Sequence, residues 1–216
     1  MAAMEKLTRW WMRLVRFGFR LLYQELAWTY DVVSWLVSLG AWRAWQRAAL
    51  PHVRGPRVLE LGHGPGHMLL ALQLAGHAVV GLDVSAQMGR LARRRAPSVQ
   101  LVRGRAPRLP FASGRFDTVL ATFPTDYIVD PATLAEVHRV LGENGRLVIV
   151  PEGHLTGRGA VGRVIAWLFV ITGQRADPDA GAAWGQRFAA AGFGVAVTAV
   201  ALPGSVATVV VCEKMS

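Results

Sequence analysis

Val58-Leu59-Glu60-Leu61-Gly62-His63-Gly64-Pro65-Gly66 is the stretch on which the fold turns. Together with Arg57 its first half predicts a buried strand ending at Leu61, and a helix is expected from about Gly66 to Leu74. Between them lies a glycine-rich turn. A strand that runs straight into such a turn leaves room for a ligand to press against backbone, because a Cβ would block the approach and forbid some of the dihedrals. The spacing is G-x-G-x-G. A dinucleotide fingerprint would need Gly or Ala at position 67, where this chain has His67, and that weakens a pyrophosphate-binding reading.

Working outward, the residues downstream alternate between strand and helix patterns. Strands are expected over 78–82, 99–102, 116–122 and 146–150, with helices over 85–95 and 131–141, the last stopped by Gly142. This alternation indicates βαβ units and a parallel sheet. Beyond Pro151 a helix over 159–171, another over 182–191 and two apolar runs joined by Pro203-Gly204 follow, the runs reading as an antiparallel hairpin. The expected fold class is α/β, a Rossmann-like, seven-stranded, mostly parallel sheet with a C-terminal antiparallel hairpin and an N-terminal helical appendage. Asp83 ends the second strand, 17 residues after Gly66. In a parallel sheet that position lies beside the end of the first strand, where a carboxylate accepts both hydroxyls of a ribose lying over the glycine turn.

Upstream, Arg9, Arg13, Arg16 and Arg20 share one helical face, with Trp10, Leu14, Phe17 and Leu21 beside them. A basic face next to a Trp/Phe/Leu face describes a helix lying in a membrane interface, and a helix packed on the domain is the alternative. The tryptophans and the concentrated charge favour the membrane. A second helical stretch is expected from Glu25 to Leu50, broken near Gly40 and ended by Pro51. Residues 1–50 are thus read as the appendage, offering membrane-surface contact and an active-site lid, and 51–216 as the ligand-binding domain.

At 216 residues, 52% hydrophobic and 18% charged, the chain is ordered and large enough for one α/β domain with an appendage. Cys212 is the single cysteine, so neither an internal disulfide nor a cysteine metal cluster is available, which suits a reducing cytoplasm. The net charge of +10 comes from 22 arginines and 2 lysines, a bias that composition alone can produce. The first 25 residues are not a signal peptide, and the apolar run over 164–171 is too short to cross a bilayer. The expected location is cytoplasmic, peripheral on the inner face of the membrane.

Several further stretches carry a resemblance. They are Tyr30-Asp31, Ser38-Leu39-Gly40-Ala41-Trp42-Arg43 with Trp45, the Glu60 to Gly66 loop, and Asp83-Val84-Ser85 with Met88. Leu109-Pro110-Phe111, Phe116-Asp117-Thr118-Val119, Leu141-Gly142 and Gly145-Arg146-Leu147-Val148 complete the set. In this order the chain resembles the class I S-adenosylmethionine-dependent methyltransferases, type-11 and ubiquinone/menaquinone-biosynthesis branch, over about residues 28–150. The resemblance implies S-adenosylmethionine as cofactor and S-adenosylhomocysteine as product. It implies that Glu60 holds the methionine amino group, and that Gly62, His63, Gly64 and Gly66 line the amino-acid and ribose portion. Asp83 would bind the ribose, while Val84 and Met88 flank the adenine. Thr122, Phe123 and Pro124 would border methionine and acceptor. Tyr30 resembles an aromatic residue that closes over the cofactor, plain core packing being the other reading. Where the family has Gly-Asp-Ala to meet the adenine amine, this chain has Gly104-Arg105-Ala106, and arginine has no acceptor to offer. Either backbone and apolar contacts hold the adenine or Arg105 turns to solvent.

Methyl transfer needs alignment, exclusion of water and removal of a proton where the acceptor carries one, so no fixed catalytic set is expected. Asp126, Tyr127, Glu152 and His154 lie in the loops after the fourth and fifth strands and are the candidate bases, with solvation or turn-capping as their alternative roles. The six histidines are dispersed and no metal site is expected. The acceptor expected is a small or lipid molecule, a quinone-like compound or a phospholipid head group, met at the membrane through residues 1–25. DNA is not a partner. RNA methylation is the disfavoured alternative, since Asn-Pro-Pro-Tyr is absent after the fourth strand. A non-catalytic cofactor-binding or interaction protein is the other.

Overall fold

The computed structural model describes residues 34–35, 38–156 and 180–215. The basic amphipathic segment over 1–25, Tyr30 and the helix expected over 159–171 lie outside the described residues.

Seven strands form one sheet. In chain order the elements are α1 (Trp42–Arg47), a 3-10 turn (Leu50–His52), β1 (Arg57–Leu61), α2 (His67–Leu74), β2 (Ala78–Asp83), α3 (Ala86–Arg95) and β3 (Gln100–Arg103). They continue through β4 (Phe116–Thr122), a 3-10 turn (Asp126–Val129), α4 (Pro131–Val140), β5 (Leu141–Leu155), α5 (Ala180–Ala190), β6 (Phe193–Leu202) and β7 (Ser205–Lys214). The sheet order is β3-β2-β1-β4-β5-β7-β6. The first five strands pair in parallel, while β7 runs antiparallel to both β5 and β6. The chain therefore winds away from β1 in one direction and resumes at β4 on its other side. The carboxyl ends of β1 and β4 flank that switch point, where open α/β sheets bind ligands.

Both faces of the sheet are covered, which is why its strands read as continuous apolar runs. Along β4, Val119 and Ala121 face a core shared with Ile128, Leu134 and Phe188, while Leu120 faces a second core with Trp45, Leu69 and Leu72. Leu147 and Ile149 against Val148 and Val150 repeat the alternation on β5. Trp45, Ala48 and Ala49, within the stretch read as an appendage, are buried in the second core. Gly40 (φ +84°) and Leu39 (φ +49°) turn the chain just ahead of α1, at the expected break.

β5 is three times as long as the sequence pattern predicts. Its first residue pairs with Phe116 ahead of an irregularity in register, and Glu152 to Leu155 pair with β7 from Thr208 back to Ser205. The polar residues Glu143, Asn144 and Glu152 hide this extension from a reading of hydrophobic pattern. Long-range pairing with neighbouring strands creates it.

Candidate active site

The three turn glycines all adopt left-handed backbone: Gly62 at φ +65°, Gly64 at +51° and Gly66 at +85°. Their surroundings differ. A Cβ on Gly66 would stand 2.9 Å from the Cα of Ala92, so this glycine lets α3 pack against the head of α2. A Cβ on Gly62 would stand 2.8 Å from the Tyr127 hydroxyl. A Cβ on Gly64 would meet nothing within 4 Å, so Gly64 is the one with open space beside it. The Gly62 N–H donates to the Leu82 carbonyl (2.7 Å), tying the turn to β2.

Asp83 fixes the other side. One carboxylate oxygen accepts the Gly64 N–H (2.9 Å) and the other the Ser85 N–H (2.8 Å). Each oxygen keeps a further lone pair, enough for two ribose hydroxyls. His63, buried beside it, donates from Nδ1 to the Gly64 carbonyl (2.7 Å). Burial holds the His63 pKa below the ordinary histidine value despite the Asp83 charge, so the ring is neutral near pH 7.

Glu60 is only 1% exposed, and among the described residues neither of its carboxylate oxygens meets a hydrogen-bond partner. Burial, and then the charge of Asp83, push its pKa well above the ordinary carboxylate range. A buried acceptor pair without a donor is costly and calls for a cationic or N–H-rich partner. An α-ammonium group next to a ribose satisfies both carboxylates, so these residues fit S-adenosylmethionine: Glu60 for the amino group, Gly64 for close backbone approach, Asp83 for the sugar.

Across the switch point the end of β4 meets α1. The Gln46 side chain donates from Nε2 to the Thr122 hydroxyl (3.0 Å), while its buried Oε1 has no partner among the described residues. Phe123 sits in left-handed backbone (φ +50°), its N–H bound to the Val150 carbonyl at 2.7 Å. Such a conformation in a bulky residue is strained and marks functional positions. Its ring stacks on Trp42, with centroids 3.9 Å apart at 24°, and Trp45 lies 6.2 Å away. Pro124 follows, half-buried. Gln46 was invisible to sequence reasoning, since a glutamine on a short helix is normally solvated, and Trp42 stood out only as part of the resemblance.

The other expected site residues divide. Tyr127 is half-buried, its hydroxyl donating to the Leu61 carbonyl (3.3 Å) above the first glycine. Asp126, its neighbour, is exposed. His154 is exposed and paired with Glu152 (3.2 Å), which also accepts from Thr208 (3.4 Å). This pairing raises the His154 pKa and lowers that of Glu152. The pair sits on the β5 extension, Glu152 roughly 7 Å and His154 roughly 13 Å of strand beyond Val150. On the adenine side Val84 is exposed, Met88 is fully buried and Gly104 bonds through its N–H to the Asp83 carbonyl (3.1 Å). Arg105 is exposed and Ala106 buried. Among the described residues no three His, Cys, Asp or Glu side chains gather as a metal site.

Comparison with known proteins gives the same picture. A family profile described as a methyltransferase domain matches residues 58–145. The demethylmenaquinone methyltransferase of Thermus thermophilus is 36% identical over 153 residues, covering 66% of this chain and 69% of that protein. Its counterpart in Renibacterium salmoninarum is 35% identical over 139 residues, covering 62% of this chain. The chain spans 59% of the length of that relative. Among solved structures, a SAM-dependent methyltransferase from Thermotoga maritima, described as a possible histamine N-methyltransferase, superposes with a TM-score of 0.59 at 20% identity. That match covers 95% of this chain and 97% of the other, and it speaks to the fold alone.

Proposed function

The chain belongs to the class I S-adenosylmethionine-dependent methyltransferases of the ubiquinone/menaquinone-biosynthesis type, and we propose that it methylates a small lipophilic acceptor of quinone-like chemistry. The observation that carries this reading is Glu60, a buried carboxylate with no donor, set beside Asp83 under an open glycine turn.

S-adenosylmethionine supplies a methyl group already activated by its sulfonium. The protein's work is then to bind, orient and keep water out. Glu60 receives the ammonium and Asp83 the ribose hydroxyls. Gly64 leaves the backbone bare where the nucleoside passes. Trp42 and Phe123, stacked at the end of β4, form an apolar aromatic wall on the acceptor side. A flat, weakly polar ring matches such a wall better than a charged head group does. The proton released from the acceptor must leave at the same end of the sheet. Of the candidate bases, Tyr127 stands beside the glycine turn and is placed to hold or relay it. The names of the relatives in Thermus and Renibacterium agree with a quinone-like acceptor.

The test is transfer of a labelled methyl group from S-adenosylmethionine into a desmethyl naphthoquinol and, in parallel, into phospholipid vesicles. Label in the quinol is expected. Label only in phospholipid would replace the acceptor, and label in neither would overturn the enzymatic reading for both.

A further inference from the structure

Between α1, α2 and the end of α3 lies a cleft of about 170 Å³. Arg43, Arg47, His67 and Arg95 line it together with the apolar Met68 and Leu74. Among the described residues no acidic side chain lines it. This contrasts with the base of the sheet, where Arg54 and Arg146 pair with Glu213 and Arg57 pairs with Asp117. Arg43 and Arg47 are exposed and form no ion pair among the described residues. Like charges one helical turn apart repel, and an anion held between them relieves the repulsion.

The exposed apolar residues are as informative as the charge. Leu74 is 77% exposed at the end of α2. Trp35 and Leu39, just ahead of α1, are 60% and 50% exposed. Arginines interleaved with exposed Trp and Leu match an anionic lipid surface, whose phosphates meet the guanidinium groups while its acyl boundary takes the apolar side chains. Nucleic acid would match the charge but leave the leucines in water.

We propose that the α1–α2 face docks on anionic phospholipid membrane, with a lipid phosphate seated between Arg43 and Arg47. The inference rests on the lipophilic-acceptor reading and extends it. α1 carries Trp42 inward against Phe123 and Arg43 outward, so docking on this face sets the aromatic end of the site beside the bilayer that holds the acceptor.

The test is co-sedimentation of the full-length chain with vesicles of phosphatidylglycerol and phosphatidylcholine against phosphatidylcholine alone. The variants are Arg43→Gln/Arg47→Gln, Leu74→Glu and a charge-matched control, Arg115→Gln/Arg187→Gln. The paired substitution in the cleft is expected to weaken partitioning onto the anionic vesicles by about 30-fold, from two basic side chains at the surface. Leu74→Glu should weaken it about tenfold or more, and the control by less than threefold. Equal losses in the cleft pair and the control would mean a net-charge effect and overturn the docking face. Unchanged binding in the cleft variants, or tighter binding to RNA than to vesicles, would overturn it too. S-adenosylhomocysteine affinity, measured on the same samples, should be unchanged in every variant. Its absence from all of them would instead defeat the underlying enzymatic reading.

Discussion

A carboxylate sealed from water without a donor works against folding whenever it is ionised, and Glu60 is in that position. Its folded pKa lies above its unfolded one, so its favourable contribution is complete below the usual glutamate range and is lost as pH rises through the raised value. Glu60→Gln lacks this loss. The variant should therefore gain in Tm relative to the native chain as pH goes from 5 to 8, while its affinity for S-adenosylhomocysteine falls at least about tenfold for the missing charge-assisted bond. A constant Tm difference across that range would mean Glu60 is not titrating as the structure requires. The glycines make a second test. Gly64→Ala should cost about 1 kcal/mol in chemical denaturation, for left-handed backbone alone, yet still impair cofactor binding. Gly66→Ala adds a clash with Ala92 backbone and should cost about 2 kcal/mol more. Equal costs would contradict the packing described for α3.

At the scale of elements, α1 is held where it matters by one missing side chain. A Cβ on Gly153 would lie 2.3 Å from the Trp45 ring, so β5 accepts the helix only through that glycine. Gly153→Ala should displace α1, lowering stability by about 1–3 kcal/mol in urea titrations and shifting Trp fluorescence as the Trp42–Phe123 stack loosens. Unaltered stability and fluorescence would show that α1 sits there for other reasons. The sequence made β1, β2 and β4 legible because each is a short, mainly apolar run closed by a turn or a helix cap. Ser85, read as part of a helix, in fact caps it by accepting the Met88 N–H (3.3 Å). What stayed hidden was β5 past Val150, whose polar residues become strand only because β7 arrives from some fifty residues away to pair with them. Gln46 on Thr122 stayed hidden likewise, a contact between residues 76 positions apart.

For the molecule as a whole, the winding of the sheet does the functional placing. The switch in strand order between β1 and β4 brings Glu60, Asp83 and the Thr122-Phe123 pair to one end of the sheet from three separate parts of the sequence. The glycine turn and Asp83 could be read in advance because their spacing follows from a βαβ unit. The acceptor side could not, because it depends on how α1 and the end of β4 meet. Charge has the same character. A total of +10 says little, whereas its distribution separates paired arginines at the sheet base from Arg43 and Arg47 beside α2, which form no ion pair among the described residues. Among the described residues no helix is long and apolar enough to cross a membrane. The claim beneath all of this is that an ammonium group enters against Glu60 and ionises it. Calorimetric titration with S-adenosylhomocysteine in two buffers of different ionisation enthalpy reads that directly. Saturable binding with release of a proton, the release absent in Glu60→Gln, is the expected result; binding with no proton released, or no binding, would contradict it.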